Sequence, residues 1–276
     1  MAVDLTIQMI NATVQIDQSL GNGTRTVGSG FLVQAPRPDG TPRTVLITAE
    51  HLLRKMPFAE ARIGWRFQEG GGEWRLKPQT IQIRANGQPL WLKHPDRDVV
   101  AMEIQAPPEF ARAAIPLTWL ADETSMERYG IGPGDEMMVL GYPEGFAANQ
   151  AGFPILRVGR VASYPLSPIR SFPTFLIDAR VSAGNSGGPV FTTVGLRRGP
   201  QAPTEDPPQL VTGVLTQQMW VNGAKLDVGF VTHASFIRET IAMLDRRPAP
   251  QPAPAPPDPG PQPDVSPTAA APPPTR

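Results

Sequence analysis

The chain has 276 residues, and its 25 Lys and Arg balance its 25 Asp and Glu, so the formal net charge is zero. That length suits one large or two small domains with a real core, and the balanced charge offers no basic excess to draw nucleic acid or an anionic membrane. There is no cysteine, which excludes disulfides, thiol catalysis and cysteine metal sites, and His51, His94 and His233 stand in unrelated settings, so no metal or cofactor is expected. No run of about 18 apolar residues predicts a membrane-spanning helix. The N-terminus MAVDLTIQMINATVQI lacks a basic start, an apolar run and a small-residue cleavage site, and the expectation drawn from it is a cytoplasmic protein.

In chain order, short apolar or alternating runs at 13–16, 30–33 and 45–48 read as strands. Runs at 63–67 and 73–76 flank Gly70-Gly71-Gly72 and predict a hairpin. The alternating segment 80–84 leads to the turn dipeptide Asn86-Gly87, and 99–104 is a further strand. A polar, helix-tolerant stretch at 107–130 separates this group from a second one, at 136–140, 157–162, 175–177, 188–193, 210–217 and 228–231. Many short strands at this spacing predict an all-β barrel or sandwich architecture. The insertion 196–209 has surface-loop composition. From 234 to 246, Phe236, Ile237, Ile241 and Leu244 form one apolar helical stripe. The last segment, 248–276, holds 13 prolines in 29 residues. It lacks the donors and apolar side chains for a core and is expected to be a disordered, extended tail, either a spacer or a docking segment for a groove-type partner.

Three segments carry chemistry. In Ala183-Gly184-Asn185-Ser186-Gly187-Gly188 the glycines allow a tight turn. A serine hydroxyl needs a base to become a nucleophile, and the oxyanion formed on its attack needs donors, for which the Gly184 and Ser186 amides are suited. His51 directly follows an apolar strand, and Asp98 opens one. Asp96, in the same loop as His94, is the alternative acid; Asp98 is preferred because it adjoins the apolar run. His233, between a strand and the last helix, is expected to be structural.

Together these segments resemble the trypsin-like serine peptidases, and most closely their bacterial high-temperature-requirement branch. The resemblance runs over about residues 10–245, through Gly28-Ser29-Gly30-Phe31-Leu32-Val33, Ile47-Thr48-Ala49-Glu50-His51, Asp98-Val99-Val100-Ala101-Met102, Gly187-Gly188-Pro189-Val190 and Val228-Gly229-Phe230-Val231. It implies an all-β fold of two six-stranded Greek-key barrels with a C-terminal helix: residues 1–115 forming the first barrel with His51 and Asp98, 116–247 the second with Ser186, and 248–276 the tail. It implies a serine endopeptidase acting on a protein or peptide, with Ser186 as nucleophile, His51 as base and Asp98 orienting the histidine. The oxyanion hole would be Gly184 and Ser186. Substrate would pair with the strand at 214–217, engaging Val214, Leu215 and Thr216, and Arg180 would lie near the base of the specificity pocket, unless it pairs with Asp178 or solvent. Departures are Glu50 before the histidine, where a small residue is usual, and Asn185 before the serine. The asparagine cannot make the ion pair with a freed N-terminus that switches digestive trypsins on. No peptide-binding domain is expected after the barrels. A catalytically silent binding module on this fold and a serine esterase are the alternatives. A histidine base predicts activity rising with pH through the ordinary histidine range, about 6.5.

Overall fold

The computed structural model describes residues 5–21, 23–192, 210–221 and 223–246. The insertion expected at 196–209 and the tail at 248–276 lie outside the described residues. The chain is mostly β with a trypsin-like fold.

Helix α1 (Leu5–Ala12), which the sequence reading did not anticipate, leads into the hairpin of β1 (Thr13–Gly21) and β2 (Thr24–Gln34). Strand β3 (Thr44–Thr48) ends one residue before the short helix α2 (Glu50–Arg54). The expected glycine hairpin joins β4 (Glu60–Gln68) to β5 (Trp74–Gln82), with Gln68 opposite Trp74. The Asn86-Gly87 turn joins β6 (Arg84–Ala85) to β7 (Gln88–Pro89), and β8 (Leu92–Lys93) and β9 (Val100–Glu103) bracket the Asp98 loop. These strands, β6 and β7 apart, form one sheet in the order β5-β4-β1-β2-β3-β9-β8. The polar stretch at 107–130 becomes α3 (Pro108–Ala113), β10 (Ile115–Pro116), which pairs in parallel with β2, and α4 (Glu123–Arg128).

The second group closes into a six-stranded barrel: β11 (Glu136–Gly141), β12 (Ile155–Val161), β13 (Thr174–Asp178), β14 (Pro189–Thr192), β15 (Leu210–Val221) and β16 (Ala224–His233), in the order β11-β12-β13-β16-β15-β14. Helix α5 (Ala234–Leu244) follows and buries Phe236, Ile237 and Ile241, the stripe read from the sequence. Among the described residues no helix is long and apolar enough to cross a membrane.

Two cores explain why the central strands read as continuous apolar runs. Side chains alternate along a strand, so β2, β3 and β9 feed both cores at once. Leu32, Leu46, Val100 and Met102 pack inside the first sheet with Ile16, Leu53, Ile63 and Trp65. Their neighbours Phe31, Val33, Val45, Ile47 and Ala101 pack the other way, with Val139, Phe191, Val211 and Ile237 of the second group. Strands that carry His51 and Asp98 at their ends are therefore held on both faces.

Helix α5 ties the groups together further. Arg238 donates to the Leu120 carbonyl at 2.9 Å, and Glu239 takes His94 at 3.3 Å and Arg170 at 2.8 Å. His94 in turn accepts the Asp96 N–H at 3.2 Å, so the loop leading to Asp98 is anchored on this helix.

His233, fully buried at the start of α5 against Phe175, is structural in placement, as expected. Burial pushes its pKa down to about 4, against a raising influence of the Phe172 backbone. The unfolded chain takes up a proton near pH 6.5 while the folded protein does not, so the contribution of His233 lowers stability as pH drops from about 6.5 to about 4 and is constant below that. Thermal unfolding over this range should show a loss of up to about 3 kcal/mol that His233→Gln abolishes; parallel curves for the two proteins would refute it.

Candidate active site

Asp98 is fixed to the segment that carries His51 by two bonds. Its Oδ2 lies 2.6 Å from His51 Nδ1, and its Oδ1 accepts the His51 backbone N–H at 2.9 Å. One carboxylate thus seats the first turn of α2 and sets the direction of the imidazole ring, leaving Nε2 as the nitrogen able to face a reacting group. Burial opposes the Asp98 charge, but the His51 ring and the His51 and Glu50 backbone N–H groups outweigh it and hold the carboxyl below its ordinary value. Asp96 makes no bond to His51 among the described residues and serves the loop instead. Glu50 turns to Arg54, at 3.3 Å, one helical turn on.

The serine loop is the other half. Gly184 and Gly187 have φ of +89° and +87°, a region that favours glycine. A Cβ on Gly184 would overlap the Tyr142 carbonyl, and one on Gly187 would overlap the Ser29 carbonyl and the Thr48 hydroxyl. Each carbonyl from Ala183 to Ser186 has a partner. Ala183 O accepts Glu144 N–H at 2.6 Å, Gly184 O accepts the Ser29 hydroxyl at 2.6 Å, Asn185 O accepts Gly188 N–H at 3.0 Å, and Ser186 O accepts Ser29 N–H at 2.9 Å. The Gly184 and Ser186 N–H groups, by contrast, have no acceptor among the described residues. Two donors beside a serine, uncommitted and held by their own peptide planes, are what a developing oxyanion requires.

His51, Asp98, Gly184 and Ser186 line one cleft of about 750 Å³. Ser186 Oγ donates to the Thr216 carbonyl at 3.4 Å, and no Ser186–His51 hydrogen bond is present among the described residues. A family model described as "Trypsin-like peptidase domain" matches residues 28–196, more than half the chain and all of the residues just named except Thr216. The chain belongs to the trypsin-like peptidase domain family. No curated protein matches it. A solved structure similar to this trypsin-like domain is that of Rv3671c from M. tuberculosis H37Rv, a serine-to-alanine mutant in an inactive form. It is 18% identical, the match covers 88% of this chain and 90% of that one, and the TM-score is 0.49.

Of the expected substrate-binding residues, two line the cleft of this trypsin-like domain and two do not. Leu215 and Thr216 line it, joined by Gln217. Val214 is fully buried in the barrel, paired with Pro189 and Thr232. The Leu215 amide and carbonyl are taken by Gly188 O at 2.9 Å and Gly187 N at 2.7 Å, so its backbone holds the serine loop. The sequence left Arg180 open between the pocket, Asp178 and solvent, and the structure has it on the solvent side. Ala179 and Val181 point inward, so alternation turns Arg180 out; its side chain is 75% exposed and lies 3.6 Å from Asp227, not Asp178. Val181, next to Arg180, lines the cleft. Asn185 is buried, and its Oδ1 has no hydrogen-bond partner among the described residues.

The sequence reading missed Glu144, whose backbone N–H braces the loop, and Tyr142, whose N–H donates to the Ser29 hydroxyl, and gave no role to Ser29; Gly28-Ser29-Gly30 was the one signal pointing there. Because Arg180 lies outside the cleft, Arg180→Ala should leave cleavage preferences in a peptide library unchanged. Loss of a preference for acidic residues in that variant would restore the arginine to the specificity pocket.

Proposed function

We propose that this trypsin-like domain is a serine endopeptidase that cleaves proteins or peptides through an acyl-enzyme intermediate. The observation that carries this reading is the pair of uncommitted N–H groups at Gly184 and Ser186, in the same cleft as a histidine already oriented by a carboxylate.

In the proposed reaction Ser186 Oγ turns from the Thr216 carbonyl toward His51, as such bonds commonly tighten only with substrate bound. His51 Nε2 takes the hydroxyl proton as Oγ attacks the scissile carbonyl carbon. The carbonyl oxygen becomes an oxyanion between the Gly184 and Ser186 amides, and Asp98 stabilises the imidazolium. His51 then gives its proton to the leaving amine as the carbon–nitrogen bond breaks, leaving the acyl group on Oγ. Water, deprotonated by His51, attacks that ester, and His51 returns the proton to Ser186 Oγ as the ester carbon–oxygen bond breaks and the acid leaves. Substrate would lie along Leu215 to Gln217, with Val181 lining the cleft beside it. In this reading residues 1–115 and 116–247 are the two barrels' shares of the site, and the motif likeness to the bacterial high-temperature-requirement branch describes its lineage.

A fluorophosphonate probe tests the reading. Wild type should be labelled and Ser186→Ala should not; a folded wild type that resists labelling would contradict it. Cleavage of a peptide library, with preferences on both sides of the bond, separates an endopeptidase from an esterase. Asp98→Asn should lower kcat about 10³- to 10⁴-fold, because the amide cannot hold the required tautomer. Since Asp98 is held below the ordinary carboxylate range, it stays ionised at pH 5 and above, and the acid limb of the activity profile should follow a single histidine base.

A further inference from the structure

Ser29 belongs to the first sheet, yet it makes three hydrogen bonds to the second barrel's side of the site. Its N–H donates to Ser186 O at 2.9 Å, its hydroxyl donates to Gly184 O at 2.6 Å, and the same hydroxyl accepts Tyr142 N–H at 3.0 Å. The side chain is fully buried. With one donation and one acceptance fixed, the hydroxyl hydrogen has a single direction.

The geometry points to Ser29 as the positioning residue of the oxyanion hole, an inference that rests on the peptidase reading above. The two hole amides belong to the peptide units Ala183–Gly184 and Asn185–Ser186. The unit between them is Gly184–Asn185, and its carbonyl is the one the Ser29 hydroxyl holds. In a trans peptide the C=O and N–H point in opposite directions, so fixing the middle plane fixes the angle between the two donors. Glycine at 184 gives the backbone no side-chain restraint of its own, and the hydroxyl supplies it.

The partner on the other side is braced in turn. Tyr142 is almost fully buried, and burial, opposed by the adjacent Arg66, pushes its phenol up to about 12, so it remains neutral. It accepts from Arg66 at 2.8 Å and donates to Gly152 O at 3.1 Å. Arg66, itself buried, spends its other terminal nitrogen on Ile10 O and Asn11 O at the end of α1, at 3.1 and 2.9 Å. Ser29 therefore stands against a framework that reaches the N-terminal helix.

The test compares wild type, Ser29→Ala and Ser186→Ala. Ser29→Ala should lower kcat about 10- to 100-fold with KM within about twofold. Its affinity for a peptide aldehyde, which forms an oxyanion-bearing adduct with the serine, should fall by the same factor as kcat. Its affinity for a product peptide and the pH midpoint of activity should not move, which a general loss of structure would not spare. Ser29→Cys, keeping a weaker donor at the same place, should recover part of kcat, and it carries the same test if the alanine variant does not fold. A labelled, active wild type whose Ser29 variants keep kcat, or change KM alone, overturns this inference and leaves the peptidase reading intact. A folded wild type that neither reacts with fluorophosphonate nor cleaves peptides overturns both.

Discussion

The serine loop leaves the Gly184 and Ser186 amides without an acceptor among the described residues, while each carbonyl from Ala183 to Ser186 finds its partner elsewhere. Buried carbonyls must be satisfied, and here the satisfaction comes from Glu144, Ser29 and Gly188, none of which intrudes on the cleft. Peptide planarity does the rest, since a carbonyl tied down on one side commits its N–H to the other. The positive φ at Gly184 and Gly187 follows from the same requirement, as the loop must double back tightly against Tyr142, Ser29 and Thr48.

The histidine side is built on a different balance. A half-buried carboxylate is costly, and Asp98 offsets the cost by accepting from the His51 ring and from the backbone at the start of α2. The strands that deliver it are packed on both faces, β3 and β9 each dividing their side chains between the two cores. The loop before it is anchored through His94 to Glu239 on α5. The C-terminal helix, distant in sequence, thereby helps to fix where the carboxylate sits.

Much of this was legible in the sequence. Doubly buried strands appear as unbroken apolar runs, so the segments bearing His51 and Asp98 stood out, and the glycines about Ser186 declared a turn. The stripe on α5 was plain because one face alone is apolar. What escaped was whatever depended on partners far away in the chain. The spacing of Arg180 from Ser186 left a place in the pocket and a place in solvent both open, and only the alternation of burial at 179–181 puts it outward with Val181 lining the cleft. Val214 lay on the right strand with its side chain in the core. Helix α1 gave no strong signal because its C-terminal carbonyls are satisfied by Arg66, a residue 55 positions beyond Asn11. Ser29 stood in a noted motif, yet its hydroxyl acquires meaning only when Gly184 and Tyr142 are brought beside it.

The central claim is that the Gly184 and Ser186 amides receive the oxyanion. A crystal structure of the protein with a peptide boronic acid or aldehyde bound would test it most directly. The account predicts a bond to Ser186 Oγ, with the adduct oxygen about 2.7–3.1 Å from both nitrogens and the Ala183 and Gly184 carbonyls still on Glu144 and Ser29. An adduct oxygen directed away from those amides, or a serine loop whose carbonyls had rotated into the cleft, would contradict it.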